Sequence, residues 1–298
     1  VLLSGASGLI GSALSKALKE RGDAVTRLVR KEWSSEPGEI LWDPGPGYIE
    51  RGKLEDLDAA VHLSGENVGS GRWTERKKGE IIESRTCTTK LLCRTFSELD
   101  TPPKTWVCAS ATGYYGNCGD RKLDEDEPCG ETFLAEVCRQ WEEASHPARN
   151  KGIRVLNTRF GVVLGGKRSA LAKMLLPFRL GLGGPIGPGT QYMAWLTLDD
   201  AVRAILYALD TPSLDGPVNV VSPNPVRNRE FVASLGRALK RPAVLPFPAF
   251  AARLLLGEMA DDLLLASQRA VPRKLQEAGF TFDHPDLDEA LRHVLEGM

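Results

Sequence analysis

Residues 1–11 read Val1-Leu2-Leu3-Ser4-Gly5-Ala6-Ser7-Gly8-Leu9-Ile10-Gly11, an apolar run that breaks into glycines three residues apart. The pattern predicts a strand, a tight turn and the start of an amphipathic helix. Glycine is expected at Gly5 for a turn with positive φ, at Gly8 for close approach to a pyrophosphate, and at Gly11 for packing of the helix on the strand. Unpaired N–H groups at the helix start would face the phosphates. The stretch therefore predicts a dinucleotide-binding turn, with an ordinary strand-to-helix connection as the alternative.

A second predicted strand, residues 24–29, ends in the basic pair Arg30-Lys31. In a dinucleotide fold, the residue about 20 positions beyond the glycines faces the adenosine ribose, where an acid binds the free 2′-hydroxyl and a base accommodates a 2′-phosphate. Arg30 and Lys31 can donate to a phosphate, and no carboxylate competes until Glu32. We therefore expect NADP rather than NAD, the alternative being two solvated cations at a strand end.

Two further predicted strands end in groups suited to binding. Residues 58–67 form a buried strand that stops at a glycine, which places Leu63, Ser64 and Gly65 beside the cofactor. Residues 105–110 form the next strand and run into the hydroxyl cluster that is the best candidate to contact substrate: Ser110, Thr112, Tyr114 and Tyr115. A capped turn with packed tyrosines explains this cluster about equally well. The long helix between the two strands carries Glu80 and Arg85. These two residues are either cofactor contacts or solvated charges.

Composition points to a small-molecule partner. The chain has 298 residues, 38 basic against 39 acidic, with a net charge of −1 and no basic block, so we expect neither nucleic-acid nor membrane binding. No apolar segment approaches the roughly 18 residues of a membrane span. Six cysteines without close pairs and four scattered histidines predict reduced, packed thiols in a cytoplasmic protein and no metal site.

The order of predicted elements is that of an α/β protein with a Rossmann-type doubly wound parallel sheet. Regular alternation of strand and helix ends near Gly165. Residues 1–164 are therefore predicted to form the NADP-binding domain, to which residues 191–224 return. Residues 165–298 are expected to supply the substrate-side lobe and a smaller, mainly helical C-terminal lobe. The loop at residues 181–189, rich in glycine and proline, either borders the cleft or simply connects two elements.

The chain resembles the extended short-chain dehydrogenase/reductase superfamily over nearly its whole length. More narrowly, it is similar to the atypical branch of epimerase-family, cell-division-inhibitor-like proteins with a C-terminal domain of unknown function. The shared segments are His62-Leu63-Ser64-Gly65-Glu66-Asn67, Arg72-Trp73, Ser84-Arg85, residues 112–116, 161–164 and 176–178, and Trp195. The resemblance implies that NADP is bound by Gly5, Ser7, Gly8, Leu9, Ile10, Gly11, Arg30, Lys31, Leu63, Ser64, Glu80, Arg85 and the strand end around Val163. It implies no substrate.

The chemistry of that superfamily normally uses a tyrosine with a lysine four residues on. The residues four positions after Tyr48, Tyr114, Tyr115, Tyr192 and Tyr207 are Gly52, Cys118, Gly119, Leu196 and Thr211, so the chain has no such pair. When the family pattern is aligned through Glu142, Leu134 and Cys138 occupy the two positions. Cys138 is expected to be a packed thiol rather than a reactive one.

Two classes of function remain open. The protein can be an NADP-dependent oxidoreductase or epimerase acting on a small carbonyl or hydroxyl compound, with the proton handled by Tyr114, Tyr115 or a water beside Ser110 or Thr112. Alternatively, it is a catalytically silent NADP(H)-binding sensor or interaction protein. The intact glycine turn fits both, the missing pair favours the second and the hydroxyl cluster favours the first.

Overall fold

The computed structural model describes residues 1–30 and 37–297, so the predicted contact Lys31 lies outside the described residues. The strands are β1 (Leu2–Ser4), β2 (Thr26–Val29), β3 (Glu39–Asp43), β4 (Tyr48–Ile49), β5 (Ala59–His62), β6 (Thr105–Ala111), β7 (Lys122–Leu123), β8 (Arg154–Phe160), β9 (Val162–Leu164), β10 (Tyr192–Met193), β11 (Trp195–Thr197), β12 (Gly216–Val220), β13 (Val226–Arg227) and β14 (Arg269–Ala270).

The helices are α1 (Leu9–Glu20), α2 (Glu75–Ser97), α3 (Phe133–Ser145), α4 (Ala170–Arg179), α5 (Leu198–Asp210), α6 (Asn228–Leu239), α7 (Ala249–Leu256), α8 (Glu258–Ala260), α9 (Arg273–Glu277) and α10 (Leu287–Glu296). Single 3₁₀ turns lie at Arg51–Lys53, Thr112–Tyr115 and His146–Lys151, and a π-helical turn lies at Asp261–Leu265. In the described part of the chain, no helix is both long and apolar enough to cross a membrane.

Eight strands form the central sheet in the order β12-β8-β6-β5-β1-β2-β3-β4. Every neighbouring pair is parallel except β3 and β4, which are antiparallel. The inner strands are buried along their length, as expected when helices cover both faces of a parallel sheet. Helices α1 and α5 pack together, and so do α2 and α3. The predicted Rossmann-type sheet is therefore confirmed.

Residues 162–297 add a second apolar cluster beside the sheet. Strand β9 pairs with β11, β10 pairs with β13, and helices α4, α6 and α10 pack around Trp195 and Phe231. Within the segment predicted to return to the first domain, β12 joins the edge of the central sheet and α5 packs on α1, whereas β10 and β11 pair outside that sheet. The C-terminal region is mainly helical, as predicted.

Candidate functional site

The glycine turn is tight because backbone atoms surround two of its glycines. Gly5 has φ +71°, and a Cβ placed there would lie 2.8 Å from the carbonyl carbon and oxygen of Leu63. A Cβ at Gly11 would lie 2.1 Å from the carbonyl oxygen of Gly5. Gly8 precedes the first residue of α1, and the carbonyl oxygen of Ser7 accepts a hydrogen bond of 2.7 Å from Arg168. The N–H groups of Leu9, Ile10 and Gly11 lie in the first helical turn, which leaves them without intrahelical acceptors.

The strand order reverses between β1 and β5, since the chain leaves β1 for β2 on one side and comes back to β5 on the other. In open parallel sheets a ligand binds outside the carboxyl ends of the strands at such a point. Leu63, Ser64 and Gly65 follow β5 there. Arg30 follows β2 on the opposite side and is exposed. The crevice thus divides the edge of the sheet into two halves. One half contains Arg30, and the other contains the ends of β5, β6 and β8.

A buried histidine supports the floor of this crevice. His62 Nδ1 lies 2.6 Å from Ser4 Oγ, and its Nε2 lies 3.1 Å from Thr88 Oγ1. The backbone N–H of Leu63 donates to Ser4 Oγ at 3.2 Å. Complete burial, and secondarily the charge of Arg85, lowers the pKa of His62 to about 3, so the ring stays neutral. These contacts position the backbone at the carboxyl end of β5.

Arg85 and Glu80 are both on α2 but lie in different environments. The Arg85 guanidinium donates to the carbonyl oxygens of Ile81 and Glu66 at 3.0 and 2.9 Å and lies 5.0 Å from the Trp141 ring centroid. Burial lowers the pKa of Arg85. Glu80 instead accepts from Arg76 at 2.7 Å on the exposed side of the helix. Arg85 lines the cavity described next, whereas Glu80 does not.

A cavity of about 330 Å³ opens at the ends of β6 and β8. Its walls are mostly apolar and come from the loop after β5, helices α2, α3 and α4, strand β10 and the π-helical turn. The polar side chains on the wall include Arg85, Thr112, Tyr192, Asn228, Asp262 and Gln268. The apolar wall includes both residues aligned with the superfamily's catalytic pair, Leu134 and Cys138. Burial raises the pKa of the Cys138 thiol to about 12, which is typical of a packed, unreactive cysteine.

The four predicted hydroxyl residues are divided between the cavity and a buried network. Thr112 lines the cavity and donates to Gln268 Oε1 at 2.8 Å. Ser110 and Tyr115 are buried. The guanidinium carbon of Arg159 lies 3.5 Å from the centroid of the Tyr114 ring. Val163 also lies off the wall, because its side chain packs against the main core. Of the predicted candidates for contacting substrate, only Thr112 lines this cavity within the described residues.

The buried network is built on an ion pair that sequence reasoning missed. Arg159 on β8 binds both carboxylate oxygens of Glu142 on α3 at 2.8 Å, and the two side chains are 3% and 7% exposed. Ser110 donates to Glu142 at 2.6 Å, and Arg159 donates to the Tyr115 hydroxyl at 3.0 Å, which donates to Asn219 at 2.7 Å. Burial raises the pKa of Tyr115 well above its ordinary value. The sequence signal that could have revealed this ion pair is Arg159, a charged residue within the mostly buried strand β8.

Asp262 is the second functional candidate that the sequence did not reveal. It lies in the π-helical turn, is 8% exposed, and its Oδ2 accepts the backbone N–H of Leu134 at 2.9 Å. Burial raises the pKa of its carboxyl group. The contact joins the C-terminal lobe to the start of α3, so a carboxyl group from one lobe completes the wall of a cavity in the other.

Comparison with known families decides the relationship. The model of the NAD dependent epimerase/dehydratase family matches residues 1–221. The chain belongs to the NAD dependent epimerase/dehydratase family. A domain of unknown function, DUF1731, matches residues 247–294. The resemblance to the epimerase branch of extended short-chain dehydrogenase/reductases, and to its C-terminal domain, is therefore confirmed.

Relatives of this epimerase-family chain match it from end to end. An epimerase family protein of Mycobacterium leprae is 43% identical over 294 residues, which cover 99% of this chain and 95% of the relative. The human epimerase family protein SDR39U1 is 37% identical, with 99% of each chain covered. The crystal structure of human SDR39U1 isoform 2 with NADPH has a TM-score of 0.91 at 36% identity and covers 100% of this chain and 99% of that one. MoeE5 in complex with UDP-glucuronic acid and NAD, at 19% identity and a TM-score of 0.77, shares the fold.

Proposed function

We propose that this epimerase-family protein is an NADPH-dependent oxidoreductase or epimerase acting on a small carbonyl or hydroxyl compound. The observation that carries the proposal is the position of the cavity, at the ends of β6 and β8 on the side of the switch point opposite Arg30. In this fold the two halves of a dinucleotide lie on either side of the switch point. A cofactor with its adenosine phosphate beside Arg30 would extend its other half toward the cavity.

The residues around the crevice fit NADPH. Gly5, Gly8 and Gly11 keep the turn close enough for N–H groups of the first turn of α1 to meet a pyrophosphate. Arg30 supplies a cation on the adenosine side, and the solved human relative at 36% identity was crystallised with NADPH. Arg85 is held by carbonyl oxygens on the cavity side, where its charge can attract an anionic group of the cofactor or the substrate. The bound cofactor supplies hydride as NADPH when a carbonyl is reduced and accepts hydride as NADP⁺ when a hydroxyl compound is oxidised.

The cavity wall favours a compact, largely apolar substrate. About 330 Å³ is near the lower end of ligand sites, which span roughly 300–1,000 Å³. The Thr112 hydroxyl gives its proton to Gln268, so its lone pairs can accept a hydrogen bond from a substrate hydroxyl. The amide nitrogen of Gln268 can donate to a substrate carbonyl. These two side chains would orient the oxygen at the reacting carbon.

Asp262 is the group best placed to hold the proton. Leu134 and Cys138 stand on the wall at the positions that align with the superfamily's tyrosine and lysine, and Tyr192 lies elsewhere on the wall. Among the cavity's polar side chains, Asp262 is the carboxyl group, and burial raises its pKa above the ordinary value of an aspartate. We assign it the proton that accompanies hydride transfer, with Thr112 and Gln268 as orienting groups.

The test is a panel of small aldehydes, ketones and matched chiral alcohols, in which net oxidation or reduction is followed by the absorbance of the nicotinamide and epimerisation, which leaves the cofactor unchanged, by chiral chromatography. We expect turnover with at least one compound, and Asp262→Asn should lose it while still binding NADPH. Cys87→Ser, at an exposed thiol, is the matched control and should turn over normally. Turnover that survives in Asp262→Asn would remove that residue from the chemistry and leave the cofactor assignment intact.

A second candidate function is a catalytically silent NADP(H)-binding sensor. The observation that favours it is the combination of Leu134 and Cys138 on the wall with Ser110 and Tyr115 committed to the buried network. Tight NADPH binding with no turnover across the panel would support the sensor and contradict the enzyme.

A further inference from the structure

Three side chains of metal-binding type meet at a place that is separate from the cavity. Asp199 is the second residue of α5, His284 lies between α9 and α10, and His293 is on α10. Their potential ligand atoms all lie within 4.8 Å of one another. His293 Nε2 is 2.7 Å from Asp199 Oδ2, and the two imidazole rings stack with centroids 4.1 Å apart. None of the three lines the cavity.

We propose that Asp199, His284 and His293 form a binding site for a divalent transition-metal ion, with Zn²⁺ as the best-fitting ion. Two imidazole nitrogens and one carboxylate oxygen are ligands that Zn²⁺ accepts at about 2.0–2.2 Å. Mg²⁺ and Ca²⁺ prefer all-oxygen sets, so they should bind poorly here. Three protein ligands leave a fourth tetrahedral position for water.

The backbone around the cluster is fixed before any ion arrives. Asp200 is 1% exposed, and its carboxylate accepts the backbone N–H groups of Asp283 at 2.8 Å and His284 at 3.0 Å. The nearby cation Arg203 is paired with Asp200 at 3.0 Å and Asp283 at 2.8 Å, so its charge is compensated. Binding would need only rotation of three side chains that are at least partly exposed.

An ion at this site would join the C-terminal helix to the first turn of α5. The inner face of α10 is already buried through Ala290, Leu291 and Val294, and His293 presents its ring at the edge of that face. Because an ion that binds only the folded state stabilises it, Zn²⁺ should raise the melting temperature. The cluster is therefore assigned a structural role in holding the C-terminal lobe.

The experiment is calorimetric titration of the metal-free full chain with Zn²⁺, combined with melting curves. We expect one equivalent to bind saturably and to raise the melting temperature, and Mg²⁺ to do neither. His293→Ala and Asp199→Asn should each weaken binding by more than about tenfold and abolish the thermal shift. His146→Ala, at an exposed histidine outside the cluster, and Cys87→Ser, at an exposed thiol, are the controls and should bind as the wild type does.

Two outcomes would overturn the proposal: no saturable Zn²⁺ binding by the wild type, or equal binding by the cluster variants. The melting curve without metal shows whether each variant folds. If His293→Ala does not fold, Asp199→Asn and His284→Ala decide the question, because each removes one ligand from a different element.

Discussion

Replacing Gly11 with alanine tests the tightness of the glycine turn directly. The new Cβ would lie 2.1 Å from the Gly5 carbonyl oxygen, 2.8 Å from its carbonyl carbon and 3.0 Å from the Ala6 Cα. All three are backbone atoms, so the contact can be relieved only by moving α1 away from the turn. Overpacking of this kind costs about 1–3 kcal/mol, and rigid neighbours place Gly11→Ala near the upper end.

The expected loss can be measured in two ways. A destabilisation of about 3 kcal/mol corresponds to a fall in melting temperature of roughly 5 °C for a chain of 298 residues. An opened turn would also misplace the N–H groups at the start of α1, so NADPH affinity should fall by more than about tenfold, which is 1.4 kcal/mol. Thermal unfolding and a fluorescence titration with NADPH measure the two effects separately.

One other glycine provides a matched control, and a second separates the steric effect from cofactor binding. Gly79 lies in α2 and a Cβ there would meet nothing within 4 Å, so Gly79→Ala should stabilise the protein by about 0.5–1 kcal/mol and leave NADPH binding unchanged. A Cβ at Gly8 would lie 3.2 Å from the Gly5 carbonyl oxygen, so Gly8→Ala should cost less stability than Gly11→Ala and should weaken NADPH binding if a pyrophosphate approaches there. If Gly11→Ala melts with the wild type and binds NADPH as tightly, the steric reasoning is wrong.

Three further predictions concern charge and reactivity. Arg30→Ala should weaken NADPH binding by about tenfold or more, the value of a hydrogen bond to a charged group, and leave NADH affinity unchanged; equal losses for both cofactors would contradict the assignment of Arg30 to the 2′-phosphate. Because unfolded His62 takes up a proton below its ordinary pKa of 6.5 and folded His62, with its pKa near 3, does not, acid should destabilise the fold through this residue. Urea unfolding should show a loss of about 2 kcal/mol between pH 7 and pH 5 that His62→Gln lacks, and identical losses in the two proteins would argue against it. Iodoacetamide at pH 8 should label exposed Cys87 and spare Cys138, whose thiol has its pKa raised to about 12. Mass spectrometry of the labelled peptides measures both, and faster labelling of Cys138 than of Cys87 would contradict the prediction.

The elements that local sequence determines were predictable. Gly5 and Gly11 mark a turn whose demands come from residues within a few positions and from the strand beside it, and the structure has the positive φ and the close packing that were expected. The long helix α2 also lies between the two predicted strands, as expected. Burial periodicity is a local property, so it is readable before the fold is known.

The parts of the site that depend on pairing between distant elements were not predictable. Glu142 and Arg159 meet because α3 packs beside β6 and β8 lies next to β6, and no spacing rule links the two residues. Asp262 reaches the cavity wall from a turn more than a hundred residues beyond Leu134. The histidines of the proposed zinc site are scattered in sequence, which led us to expect no metal, yet α10 and the segment before it bring two of them to Asp199 at the start of α5.

The position of β12 at the edge of the sheet has a consequence for folding during synthesis. Its partner β8 ends at Phe160, whereas β12 begins only at Gly216. At roughly 5–20 residues per second, a ribosome leaves the outer edge of β8 unpaired for several seconds. An unpaired edge is a template for pairing with another chain. Slower translation across residues 161–215 should therefore lengthen this exposed interval and increase aggregation of the nascent protein, while chaperones that shield the edge should reduce it.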